Sequence, residues 1–241
     1  MLKSPEQMSL LMLPLEILHM TGEYLDRQAL NALCRTCRAT RSCFQSALFR
    51  YNVEIEGASG LFWAAVHNRP DIATTFLDHY GADINGIYAG EPFIFHAIRH
   101  YPTETAERFL EYPQMDVNLC ADSGESLLWF AVHQQRLSIV EELLSCPELV
   151  LTRWDRVSHM FSPWFYAARH GQVGIVRLFL DGGVDINAAD VNGDTALHHA
   201  VLLGHTSVVT CLLQDGRITV NSRNLLDQTA LHVAVDRLSY L

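Results

Sequence analysis

Between Asp190 and Gly216 apolar residues recur at helical spacing twice over. Leu197, Ala200 and Val201 line one side of a first helix. Thr195 can open that helix by accepting a hydrogen bond from a free backbone N–H. Gly204 should stop it, because glycine takes the left-handed conformation without a Cβ penalty. Val208, Val209, Leu212 and Leu213 form the apolar side of a second helix, which Gly216 is expected to end. Two helices this short cannot bury both faces alone, so the unit must stack on copies of itself.

Copies are present. The Thr195 position recurs as Ser59, Pro92, Ser126, Ser162 and Thr229, at intervals of 33, 34, 36, 33 and 34 residues. Five residues on stands an unbroken alanine column, Ala64, Ala97, Ala131, Ala167, Ala200 and Ala234, whose small side chain lets helices approach closely. The second helix carries Phe76-Leu77, Phe109-Leu110, Leu143-Leu144, Phe179-Leu180 and Leu212-Leu213. Turn-forming linkers follow, such as Gly81-Ala82-Asp83-Ile84-Asn85, Gly183-Val184-Asp185-Ile186-Asn187 and Val220-Asn221.

The pattern Asp190-x-x-Gly193-x-Thr195-x-Leu197-His198-x-Ala200 makes residues 54–241 resemble the ankyrin repeat, most specifically in repeats five and four. The resemblance implies repeats at about 54–86, 87–120, 121–156, 157–189, 190–223 and 224–241. In repeats one to three the histidine of the Leu-His pair becomes Phe62, Phe95 and Trp129, and repeat four places Trp164-Phe165 over the pair. By the same resemblance His198 and His232 tie their helix to a neighbouring turn, a structural task. Cys146–Met160 holds three residues more than the period, either an enlarged hairpin that presents Trp154 and Met160 to a ligand or a tolerated insertion. Repeat six supplies one helix. That helix is a short cap, or the sequence is part of a longer product.

Residues 8–51 follow a different pattern. Pro14 suits the first position of a helix that continues through Leu15, Ile17, Leu18 and Leu25. Asp26 can cap a second helix carrying Ala29, Leu30 and Leu33. A third apolar stretch runs through Cys37, Phe44, Leu48 and Phe49. About forty residues are near the lower limit for independent folding, so this small bundle needs a partner or the next domain. Leu13-Pro14-x-Glu16-Ile17-Leu18, followed by Leu25, Leu30, Leu33-Cys34-Arg35 and Cys37-Arg38, resembles the F-box. That resemblance implies docking on the Skp-type adaptor and cullin complex of a ubiquitin ligase through Leu13, Pro14, Glu16, Ile17, Leu18, Leu25, Leu30 and Leu33. The alternative is that these apolar side chains pack against the repeats. Both modules together resemble F-box proteins with C-terminal ankyrin repeats of the filamentous-fungal type. The fold class expected is all-α, a three-helix bundle followed by a helical solenoid of about six repeats, the last truncated.

Charge refines the picture. The net charge is −10, made of +2 over residues 1–52 and −12 over the remainder. An acidic body argues against nucleic acid, which requires a basic face. No apolar run approaches the roughly 18–20 residues of a membrane span. The six cysteines show no paired framework, which suits free thiols in the cytoplasm or nucleus. Cys34-x-x-Cys37 lacks a second Cys/His pair at zinc-like spacing, and no cofactor is expected. Signatures of nucleophilic, zinc-dependent or nucleotide-binding enzymes are missing too, so the chain reads as an interaction protein rather than an enzyme.

The positions that should face a protein substrate lie at the ends of the first helices and in the turns before them. They are His67, Glu91, Arg99, His100, Glu125, His133, Phe161, Arg169, His170, Leu202 and Leu203. His67, His100 and His170 share a column, and His133 lies one position earlier. Such a strip can respond to pH or bind metal, or it can be a set of solvated residues at the negative ends of helices. Imidazoles on neighbouring repeats, about 8–10 Å apart, barely reach one ion. No third ligand accompanies His96 and His100 at their i,i+4 spacing.

Overall fold

The computed structural model describes residues 59–88, 90–100, 103–150 and 162–238. The expected three-helix bundle, the positions Leu13 to Leu33, and Trp154, Met160 and Phe161 lie outside the described residues. Eleven helices are described: α1 (Ser59–Val66), α2 (Pro70–Tyr80), α3 (Phe93–Arg99), α4 (Glu104–Leu110), α5 (Leu127–His133), α6 (Leu137–Ser145), α7 (Pro163–Arg169), α8 (Val173–Asp181), α9 (Ala196–Leu203), α10 (Thr206–Gln214) and α11 (Ala230–Leu238). Odd-numbered helices stack in one layer and even-numbered helices in the other, each against its neighbours in the period. This is the all-helical ankyrin-type solenoid.

The alanine column sets how closely the first layer packs. Ala64, Ala97, Ala131, Ala167 and Ala200 are at most 2% exposed. Large side chains fill the space between layers, with Phe93, Phe95, Phe109, Leu127, Leu143 and Leu212 fully buried. Each such side chain stabilises by about 1.5–3 kcal/mol. At α11 the pattern opens: Leu231 is 73% exposed where its counterpart Leu197 is 4%.

The turns depart from a purely helical reading. Strands β1 (Ile87–Tyr88) and β2 (Glu91–Pro92) pair antiparallel, Ile87 opposite Pro92 and Tyr88 opposite Glu91. Single bridges join Cys120 to Ser126 and Ala189 to Thr195 in the equivalent fingers. Gly204 does take the left-handed conformation, at φ 74°. In repeats one and three the same position is held by Asn68 and Gln135, at φ 47° and 56°. One local expectation is corrected. Helix α10 stops at Gln214 because Asp215 turns extended, and Gly216 is not left-handed. The Thr195 cap is present as a reciprocal capping box: its side chain faces the His198 backbone N–H, its hydroxyl lies 2.9 Å from His198 Nδ1, and the Thr195 N–H donates to that nitrogen at 3.2 Å. Nδ1 therefore accepts, and His198 Nε2–H donates to the Gln228 carbonyl of the next repeat at 3.1 Å.

Side-chain amides bolt successive repeats together. Asn85 donates to the Gln114 carbonyl (2.8 Å) and accepts from the Asp116 N–H (2.9 Å). Asn118 repeats the pair with Glu148 and Val150, at 2.8 and 2.9 Å. Asn187 repeats it with Arg217 and Thr219, at 2.8 and 2.6 Å. An aspartate two residues earlier accepts from each asparagine's own N–H and fixes the turn. A second set of links ties the turns between layers: Arg136 donates to the carbonyls of Ile98 and Arg99, and His205 Nε2 to that of Arg169 at 2.7 Å.

Replacing Asn187 by alanine removes both bonds of its bolt. At about 0.5–1.5 kcal/mol each, the loss should be about 1–3 kcal/mol in urea unfolding. Gln135→Gly relieves a left-handed side chain and should raise the urea midpoint, by up to about 1 kcal/mol of stability.

Candidate functional site

The exposed side of the odd-helix layer, with the fingers beside it, gathers the sequence-derived surface positions. His67, Arg99, His100, His133 and His170 are exposed, and Glu91, Glu125 and Arg169 are half-buried. Leu202 and Leu203 are 45% and 40% exposed. These residues are side by side because each sits on the last turn of a first helix or the base of a finger, and the solenoid repeats that position.

Each exposed imidazole on three repeats lies flat on an aromatic ring one turn earlier. Trp63 stacks on His67 with centroids 4.2 Å apart. Trp129 stacks on His133 at 4.9 Å, and Tyr166 on His170 at 3.8 Å. Tyr166 also lies 5.5 Å from Trp129 and 5.6 Å from His133, so four rings of repeats three and four form one cluster. The one-position difference between His133 and the other imidazoles is taken up here: Trp129 is shifted by the same step. Burial pushes the Tyr166 phenol up, so it stays protonated at neutral pH.

Flanking groups are committed to each other. Arg99 donates to Glu91 at 2.9 Å and lies over the Phe130 ring, 5.4 Å from its centroid. The guanidinium holds the Glu91 carboxyl below the usual carboxylate range. His96 is buried and bonds the Tyr88 carbonyl through Nε2 (3.2 Å), so it does not converge with the exposed His100. Phe62 stacks on Tyr88 at 4.2 Å and meets the His96 ring edge-on at 4.8 Å. At the other end Val191, 61% exposed, extends the apolar surface of Leu202 and Leu203. Among the described residues no three His, Cys, Asp or Glu side chains come together as a metal site. No described helix is long and apolar enough to cross a membrane.

Sequence reasoning missed Trp63, Tyr88 and Tyr166. Trp63 is 42% and Tyr88 39% exposed, unusual for rings this large. The signal was present as an aromatic residue four before a histidine, in Trp63/His67, Trp129/His133 and Tyr166/His170.

His199 marks the structural side of the same layer. It is buried and its Nε2 donates to Asp190 at 3.0 Å. The other Asp190 oxygen accepts the N–H groups of Asn192 and Asp194, which shapes the finger.

The family model for ankyrin repeats (3 copies) matches residues 159–240, and that for a single ankyrin repeat matches 56–86. The chain is 30% identical over 132 residues to the E3 ubiquitin-protein ligase KEG of Arabidopsis thaliana, covering 53% of this chain and 8% of that protein. It is 37% identical over 94 residues to the probable E3 ubiquitin-protein ligase XBOS32 of Oryza sativa subsp. japonica, covering 39% and 18%. The chain thus spans less than a fifth of either relative. Among solved structures it is similar to the ankyrin repeat domain of Bcl-3, with a TM-score of 0.66, 20% identity, and 92% and 97% of the two chains covered. It is also similar to the ankyrin repeat protein EF0377, with a TM-score of 0.65, 22% identity, and 75% and 92% covered. The sequence matches and the shape agree: the array is built of ankyrin repeats.

Burial lowers the His199 pKa from its ordinary 6.5, outweighing the pull of Asp190. The unfolded imidazole therefore binds a proton first. Stability through this group is intact above pH 6.5 and falls as pH drops below it. The urea midpoint should fall between pH 7.5 and 5.5, and His199→Gln, which keeps a donor for Asp190, should flatten that slope.

Proposed function

We propose that this ankyrin-repeat chain is the substrate-recognition subunit of a Skp–cullin–F-box ubiquitin ligase. The observation that carries the binding half is the strip of exposed rings and leucines along one side of the odd-helix layer. Trp63 and Tyr88 toward one end of this face and Leu202 and Leu203 toward the other are large apolar side chains left exposed. Ankyrin repeats bind protein partners, and aromatic side chains are enriched where such contacts form.

The ligase half rests on the sequence of residues 8–51. By the F-box resemblance Leu13, Pro14, Glu16, Ile17 and Leu18 are the residues that meet the Skp-type adaptor. The chain itself performs no chemistry in this scheme. It holds a protein substrate near the ubiquitin-charged enzyme, so that transfer proceeds at high effective concentration. Relatives that are ubiquitin ligases lend support to this pathway, although their likeness lies in the repeats. That limit favours a second reading, an ankyrin scaffold with no ligase role.

Affinity purification of the whole chain separates the two. The ligase reading expects the Skp-type subunit and cullin to be recovered with wild type and lost with Pro14→Ala/Ile17→Ala, while substrate proteins stay bound. Recovery of array partners but never the Skp-type subunit leaves the scaffold.

A further inference from the structure

We infer that the ring strip selects a cationic segment, a stretch of a partner protein in polyproline II conformation with arginine or lysine side chains about three residues apart. The inference rests on the preceding reading that this face holds a protein, and it names the chemistry that does so.

The first support is the tautomer of two imidazoles. His67 Nδ1 lies 2.9 Å from the Trp63 carbonyl, and His170 Nδ1 lies 2.9 Å from the Tyr166 carbonyl. A carbonyl oxygen only accepts, so Nδ1 carries the proton in each neutral ring. Nε2 is then a lone pair on an exposed side chain, an acceptor for a partner's N–H. His133 takes the opposite tautomer. Its Nδ1 faces the Gln134 side-chain amide at 3.3 Å, which leaves Nε2–H as a donor for a backbone carbonyl of an extended segment.

The second support is the rings themselves. Trp63 keeps 42% of its surface exposed, and the Trp129–His133–Tyr166–His170 cluster ends on the exposed His170. Guanidinium and ammonium groups are drawn to such π faces.

Charge is the third. Residues 53–241 carry a net −12. On this face Asp122, Glu125, Asp194 and Asp236 are exposed or half-buried at finger bases and helix ends. Among the described residues the strip's arginines are Arg99, matched by Glu91, and Arg169, which the carboxylates outnumber.

Spacing sets the periodicity. Neighbouring helices pack about 8–10 Å apart, and a polyproline II chain advances about 3.1 Å per residue with three residues per turn, so side chains about three residues apart lie on one side and match one repeat. His67 and His170 are three repeats apart in the same column, roughly 30 Å, or about nine residues.

The probes are labelled nine-residue peptides titrated onto the whole chain at low salt. One carries three Arg-Ser-Ser triplets, a second replaces each arginine by glutamate, and a third has the same composition as the first with its arginines contiguous. The spaced arginine peptide should bind about tenfold tighter than the glutamate peptide and more tightly than the contiguous one, weakening as salt screens the charges. His67→Ala/His170→Ala should weaken it at least threefold, whereas His79→Ala, exposed on α2, should leave it unchanged. Equal or tighter binding of the glutamate peptide, an unaffected double variant, or no binding by any peptide would overturn the proposal. Crosslinking from Trp63 and His170 positions to a captured substrate tests the underlying reading separately. A substrate crosslinked there, with no preference for cations, removes only the chemistry proposed here; no crosslink removes the binding face itself.

Discussion

The asparagine bolt is the interaction on which the other features of this array depend. A helix pair of this size cannot bury its apolar surface alone, and hydrophobic contact between layers tolerates sliding. Asn85, Asn118 and Asn187 remove that freedom, because each amide reads one carbonyl and one N–H of the following turn. The alanine column then sets the separation, and the rings of the exposed strip inherit both constraints. Tyr166 can meet His133 of the preceding repeat because the repeats are held in register at their turns.

Much of this architecture was legible in the residues. The Thr195 and Ala200 columns placed every described first helix, and the Asp-x-Asn turns stood out between them. What was not legible depended on the third dimension. The Thr195 cap was legible, but the reciprocal bond from its N–H to the His198 ring was not, because histidine replaces the usual acid or amide at that position. Gly216 looked like a helix stop, but Asp215 had already turned extended. Only a two-residue strand pair marks the second finger, too short for any alternation to appear.

The surface shows the same division. His67, His133 and His170 were apparent as helix-end residues, and their exposure agrees with that. Their stacking partners were hidden because Trp63, Trp129 and Tyr166 sit among residues that read as core. Trp129 is indeed 8% exposed, whereas Trp63, in a register shifted by one, is 42% exposed. A shift of one position turns a helical side chain by about 100°, enough to move a ring from the interior to the rim.

The left-handed position between the two helices of each repeat has a further consequence. It is glycine in repeats four and five, Asn68 in repeat one and Gln135 in repeat three, so among the described residues Gln135 is the side chain least suited to it. Repeat five also carries the Thr195–His198 lock, whose ring reaches the Gln228 carbonyl of the next repeat, and the buried Asp190–His199 pair. In a quasi-one-dimensional assembly, growth starts wherever a unit is best formed and spreads by contact with the next. The links that favour such a unit gather around α9, where the Thr195–His198 lock, the Asp190–His199 pair and the Gly204 turn coincide. Repeat one, which bears Trp63 and His67, is tied to the next repeat through its own turn, where Asn68 accepts the Thr105 N–H at 3.0 Å.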